Sequence, residues 1–197
     1  MNTNSQKYSD ILSTAKELFW KHGIRRVSIE EVCREANVSK MTFYRFFSNK
    51  AELGREVIDK IIDESIEKYR EIMSRDISFE EKMKEQLLLK FEGTREISAE
   101  FINDIFSNEK LGLKEHWLKR ADEFSHEVRQ DLSVAQKQGI IRKDLKLDFV
   151  FYLNNKAAEI FSDPKLLEIY TSMQELIMEY ANLVFYGIFP RNSNETK

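Results

Sequence analysis

Glycine and proline are scarce, with six and two residues in a chain of 197. An all-β protein repeats tight turns that call for both, so their scarcity points away from a sheet-built fold and toward helices. Cysteine occurs once, at position 33; that excludes an intramolecular disulfide framework and any multi-cysteine zinc site, and it fits a reducing compartment. No run of eighteen apolar residues occurs and the opening MNTNSQKYSD is polar, so neither a membrane span nor a secretory signal is expected and the location implied is cytoplasmic. Internal repeats, low-complexity tracts, a nucleophile elbow, a phosphate loop and a dinucleotide fingerprint are likewise missing. His22, His116 and His126 do not pair at helical spacing, so no metal or cofactor is expected. With no convergent set of titratable groups, an enzyme is not expected either.

The acidic excess is slight, a formal charge of −3, but it is unevenly spread. Residues 1–60 hold eleven Lys/Arg against eight Asp/Glu, leaving twenty against twenty-six in the remainder. A basic head thus precedes an acidic body.

Apolar spacing predicts about nine helices. The first runs from Tyr8 to His22 with Gly23 as its stop. Ser28, with Glu31 three residues on, matches a capping box opening a second helix to about Ala36. Asn37 tolerates the left-handed turn conformation, and Ser39 caps a third helix over Lys40–Phe47. Ser48 or Asn49 caps a fourth, through about Ser74. Further helices are expected at Phe79–Thr94, Ser98–Phe106, Leu113–Gln138, Leu147–Phe161 and Pro164–Ile188, with loose ends at 1–6 and 190–197.

Two short helices joined by a three-residue turn, the second with an outward polar and basic face, make a helix-turn-helix pattern. Val32, Cys33, Ala36, Val38, Phe43 and Phe46 supply its apolar joint, where Cys33 is an ordinary core residue. No acidic residue lies between Ala36 and Ala51, whereas Lys40, Arg45 and Lys50 do; such a surface suits a phosphate backbone. Lys50, in the first turn of the fourth helix, opposes the macrodipole by about 0.3–1 kcal/mol, which calls for a compensating negative group such as a phosphate.

Ile11-Leu12 through Ala15, Leu18-Phe19 and Gly23, then Ser28 to Val32, and above all the run Asn37-Val38-Ser39-Lys40-Met41-Thr42-Phe43-Tyr44-Arg45-Phe46-Phe47-Ser48-Asn49-Lys50-Ala51-Glu52-Leu53 resemble the TetR/AcrR-type bacterial transcriptional regulators. The likeness covers residues 8–55, with a weaker echo at Gly139 to Asp144. It implies an all-α fold with a three-helix DNA-binding head, residues 1–50, and a larger helical ligand-binding and dimerisation domain, residues 51–197. It also implies a homodimer on a palindromic operator in double-stranded DNA, acting as a repressor released by a small, largely apolar effector. Carried over by position, Ser28, Ser39, Tyr44 and Lys50 would hold phosphates, while Lys40, Thr42 and Arg45 would face base edges. Val32-Cys33, Asn37 and Phe46 depart conservatively from the family pattern; Glu30, where some members carry a base, argues against base contacts from the second helix.

The body is rich in aromatics, and most of them read as core. Phe101, Ile105, Trp117, Phe124, Tyr152 and Asn155 are candidate walls of an effector pocket. The last two helices are apolar on more than one face, the final one through a near-heptad stripe from Leu166 to Gly187. Val150, Leu153, Ala157, Met173, Ile177, Tyr180 and Val184 are therefore candidates for a four-helix dimer interface. The alternative of another class is a helical adaptor that binds a protein through this apolar face, with the basic head incidental.

Overall fold

The computed structural model describes residues 3–190. Ten helices and no strand occur among them: α1 (Thr3–His22), α2 (Ile29–Glu35), α3 (Lys40–Phe46), α4 (Lys50–Ser74), α5 (Phe79–Gly93), α6 (Ala99–Phe106), α7 (Lys114–Lys137), α8 (Leu147–Phe161), α9 (Pro164–Leu167) and α10 (Met173–Ile188). No helix is long and apolar enough to cross a membrane, and no cluster of three metal-ligating side chains occurs, among the described residues.

Most boundaries follow from side-chain caps. Ser28, Ser39, Asn49, Ser78, Ser98 and Ser172 each accept a backbone N–H three residues on, occupying a donor that the first helical turn leaves free. The full reciprocal box forms at Ser78–Glu81. α1 begins earlier than expected, so residues 3–6 are helical and not loose; positions 1–2 and 191–197 lie outside the described residues.

The larger departure is at the other end. The expected single helix from Pro164 to Ile188 is two, because the chain leaves α9 after Leu167 and restarts at Met173. Glu175 secures the restart: its N–H donates to the Ser172 hydroxyl, and its carboxylate accepts from the Thr171 N–H and hydroxyl, both at 2.8 Å. Thr and Ser favour such caps over a helix interior, which overrides the heptad spacing.

α4 is the mechanical link. Its 25 residues span about 37 Å, beginning in the head and ending in the body. Ile11, Phe19, Val32, Phe43 and Phe47 of the head share one core with Val57 and Ile58 of α4 and with Phe101 and Ile105 of α6. A second core, containing Leu132, Ile141, Val150 and Ile188, closes the far end of the body. There the Arg142 N–H and Nε donate to the last carbonyls of α10, at Ile188 and Gly187.

Candidate nucleic-acid interface and body cavity

The α2–α3 turn is a Schellman motif. Asn37 sits at φ +52, its N–H donates to the Arg34 carbonyl, and the Val38 N–H reaches back to Cys33. This geometry satisfies the end of α2 and brings Val38 onto the apolar joint. Phe43 and Phe47 are then buried against each other, and Phe47 stacks on Tyr8 of α1, whose hydroxyl donates to Glu56 and whose pKa burial pushes up to about 12. Cys33 is buried in the same joint, which raises its thiol pKa.

With those rings inward, the other face of α3 is solvent-facing. Ser28 and Ser39 are the exposed N-caps of α2 and α3, helix ends where backbone N–H groups and a hydroxyl can meet a phosphate. Thr42 lies beside Ser39 at 3.0 Å between hydroxyl oxygens. Tyr44 is exposed, its ring edge-on to Phe43. The Arg45 guanidinium donates to the Asn4 side chain at 2.8 Å and lies 4.9 Å from the centre of the Phe46 ring. Lys40 is ion-paired with Glu30 of α2, each holding the other in its charged form. Both are exposed, and such a pair is worth about 0–1 kcal/mol, so a better anion can displace it.

Lys50 has a different setting. Its ammonium donates to the carbonyls of Arg25 (2.8 Å) and Val27 (3.0 Å) in the α1–α2 loop. Burial lowers its pKa, opposed by the nearby Asp104 carboxylate. These carbonyls are the partial negative charges that offset its place in the first turn of α4, and Glu52 adds a carboxylate there. One donor of the ammonium stays available for a phosphate.

Two residues of this region escape a reading by motif. Met41 is 83% exposed on α3, an apolar side chain held out beside Lys40 and Thr42; a helical wheel with the three phenylalanines inward would have flagged it. Asp104 of α6 is 1% exposed and accepts the Arg25 N–H (2.8 Å) and Nε (2.5 Å), joining the body to the loop that Lys50 also grips. Only the fold brings positions 25, 50 and 104 together.

A cavity of about 390 Å³ opens in the body between α4, α5, α7, α8 and α10. Of the six candidate wall residues, Phe124 lines it. Phe101 and Ile105 are fully buried in the head-facing core, Trp117 packs against that core and edge-on to Phe106, Tyr152 is exposed, and Asn155 borders a separate polar cleft. The structure instead brings several interface candidates to the cavity. Ala157 and Ile177 line it, while Val150, Tyr180 and Val184 lie between it and an outer groove of about 270 Å³. Leu153 lines that outer groove, and Met173 is buried in the head-facing core. A single residue of register on α8, as between Leu153 and Asn154, thus separates outward from inward, finer than spacing alone resolves.

An all-helical chain whose α2–turn–α3 unit presents a polar, carboxylate-poor helix to solvent is a helix-turn-helix protein. Residues 11–57 match the pattern of "Bacterial regulatory proteins, tetR family". Over 134 residues, covering 67% of this chain and 70% of the relative, the sequence is 25% identical to the uncharacterized HTH-type transcriptional regulator YhgD of Bacillus subtilis (strain 168). The fold is shared with the regulatory protein TetR from Rhodobacter sphaeroides (TM-score 0.71, 15% identity, 93% of this chain and 98% of that one). It is shared too with the fatty acid degradation regulator FadR from Bacillus halodurans (TM-score 0.68, 16% identity, 94% and 97%). Residues 11–57 thus carry the tetR-family DNA-binding pattern, and the chain as a whole shares the fold of these solved regulators.

Proposed function

We propose that the protein acts as a homodimer that docks α3 of each head into successive major grooves of a two-fold-symmetric operator, and that a small molecule in the body cavity releases it. The observation that carries this reading is the outward face of α3, where Lys40, Met41, Thr42, Tyr44 and Arg45 project from a segment without a carboxylate. Lys40, Thr42 and Arg45 take base edges, and Met41 supplies an apolar surface for a thymine methyl. Ser28, Ser39, Tyr44 and Lys50 take phosphates. The division at residue 50 is one of function, head from body, since their cores are continuous. The acidic body keeps DNA away from the rest of the surface.

Titrating labelled duplex at two salt concentrations tests the reading. Regulator binding is salt-sensitive and micromolar or tighter, whereas a helical adaptor with an incidental basic head leaves the duplex unbound. Two variants sort the contacts. Lys50→Met is expected to weaken binding to every sequence and to reduce the slope of log affinity against log salt by about one; an unchanged slope with lowered stability would restrict Lys50 to clamping the α1–α2 loop. Arg45→Ala is expected to relax preference at one base position by about 1–3 kcal/mol, read by competition with single-site operator variants; uniform weakening instead would move Arg45 to the phosphates.

A further inference from the structure

The cavity between α5 and α10 has one charged side chain in its lining, Lys90 of α5. The other polar lining groups are largely engaged with protein. The Tyr69 hydroxyl donates to Asp131 at 2.7 Å, the Tyr180 hydroxyl to Asn154 at 3.1 Å, and the Gln86 amide leans on the Tyr69 carbonyl. Lys90 has no ion pair and no side-chain hydrogen bond among the described residues. It keeps accessible surface, as a group lining an open cavity does, yet the protein around its ammonium desolvates it enough to lower its pKa, with no carboxylate near enough to oppose the shift. Water still reaches this exposed lysine at the cavity edge, and an anion seated beside it would exchange that water for a charge-assisted hydrogen bond. An arriving anion would oppose that shift and use the three donors that no protein group takes.

We propose that the effector is an amphiphilic carboxylate, its acid group paired with Lys90 and its hydrocarbon part lying against the apolar walls of α7, α8 and α10. The inference deepens the effector reading above and rests on it. A single lysine matches a single negative charge, whereas a phosphate or a coenzyme thioester would bring more charge than the lining can balance. At about 30 Å³ per water-sized group, the volume accommodates roughly a dozen non-hydrogen atoms, which describes a medium-chain or aryl-alkyl acid. α5 suits such a role: none of its residues is fully buried, so its inner face, with Met83 and Leu87, borders the cavity instead of a filled core.

The test is calorimetric titration of the intact protein with octanoate, 1-octanol and octylamine, which share a tail and differ in head charge. Octanoate is expected to bind at least tenfold more tightly than the alcohol, as a charge-assisted hydrogen bond implies, with the amine weakest. Lys90→Met is expected to abolish the preference for the acid while still admitting the alcohol, and Lys90→Arg to retain it. Equal binding of acid and alcohol by the unmodified protein would overturn the proposal, as would an acid preference that survives Lys90→Met. Because these arms measure ligand directly, they fail separately from operator binding: a protein that holds duplex DNA but shows no acid preference would refute this inference and leave the regulator reading standing.

Discussion

A glutamate in place of Leu183 is expected to yield a folded monomer whose hold on operator DNA is at least a hundredfold weaker. Leu183 is 68% exposed on α10, three residues before exposed Tyr186, and the neighbouring α8 exposes Phe149 and Tyr152. It also lines the outer groove between the two helices, together with Phe149, Leu153 and Tyr180. Gly187, one turn from Leu183, has nothing within 4 Å of where a Cβ would stand. A helix-interior glycine costs about 1 kcal/mol against alanine; an approaching helix gives a reason to keep the surface flat there. A second copy related by a two-fold axis would lay its own α8 and α10 on this face and bury its aromatic surplus in a four-helix contact. In such an interface the substitution acts twice and buries two unpaired carboxylates, while in the monomer an exposed Leu→Glu change stays within about 0.5 kcal/mol. Monomeric heads would retain the half-site contacts but lose the second set, which separates specific from non-specific affinity by several orders of magnitude. Light scattering after size exclusion reads the mass and a duplex titration reads the affinity. An unchanged dimer would place the interface elsewhere.

The head was legible in the sequence because its signals are local. Gly23, the caps Ser28 and Ser39, the left-handed Asn37 and the spacing of Phe43 from Phe47 each act within a few residues, and the structure realises them at those positions. The body was legible as helices but not as a site. Lys90, Asp104 and the cavity lining owe their character to residues dozens of positions away, and no window along the chain contains both members of such a pair. The break before α10 is an intermediate case: Ser172 with Glu175 is a local capping signal, present in the sequence but outweighed there by the heptad stripe. Lys50 is another. Its awkward place at a helix start was readable and called for a negative partner, but the partners in the structure are two carbonyls from an earlier loop.

That loop is also where the head is most sensitive to a single atom. Gly23 lies at φ +79, and a Cβ there would stand 2.8 Å from the Glu100 Cβ, 2.9 Å from an Asp104 carboxylate oxygen and 3.2 Å from the Glu100 backbone. Two of these atoms belong to the frame of α6 and cannot swing aside as a flexible side-chain tip could, so α6 itself must move. The displaced Asp104 would loosen its hold on Arg25, and with it the carbonyls that seat Lys50. Gly23→Ala is accordingly expected to cost about 2–5 kcal/mol, combining about 1–2 for the left-handed backbone with about 1–3 for overpacking. At a urea slope near 2 kcal/mol per M, the midpoint falls by roughly 1–2.5 M, and operator affinity falls with it as the α1–α2 loop shifts beneath Ser28. Gly112→Ala is the control, because Gly112 has a similar φ of +59 with open space around it and so incurs only the backbone part. Equal losses for the two variants would show that the approach of α6 to Gly23 contributes nothing. A larger loss at Gly23, accompanied by weaker DNA binding that Gly112→Ala does not share, would establish the Arg25–Asp104 contact as the joint through which movements of the body reach the DNA-binding head.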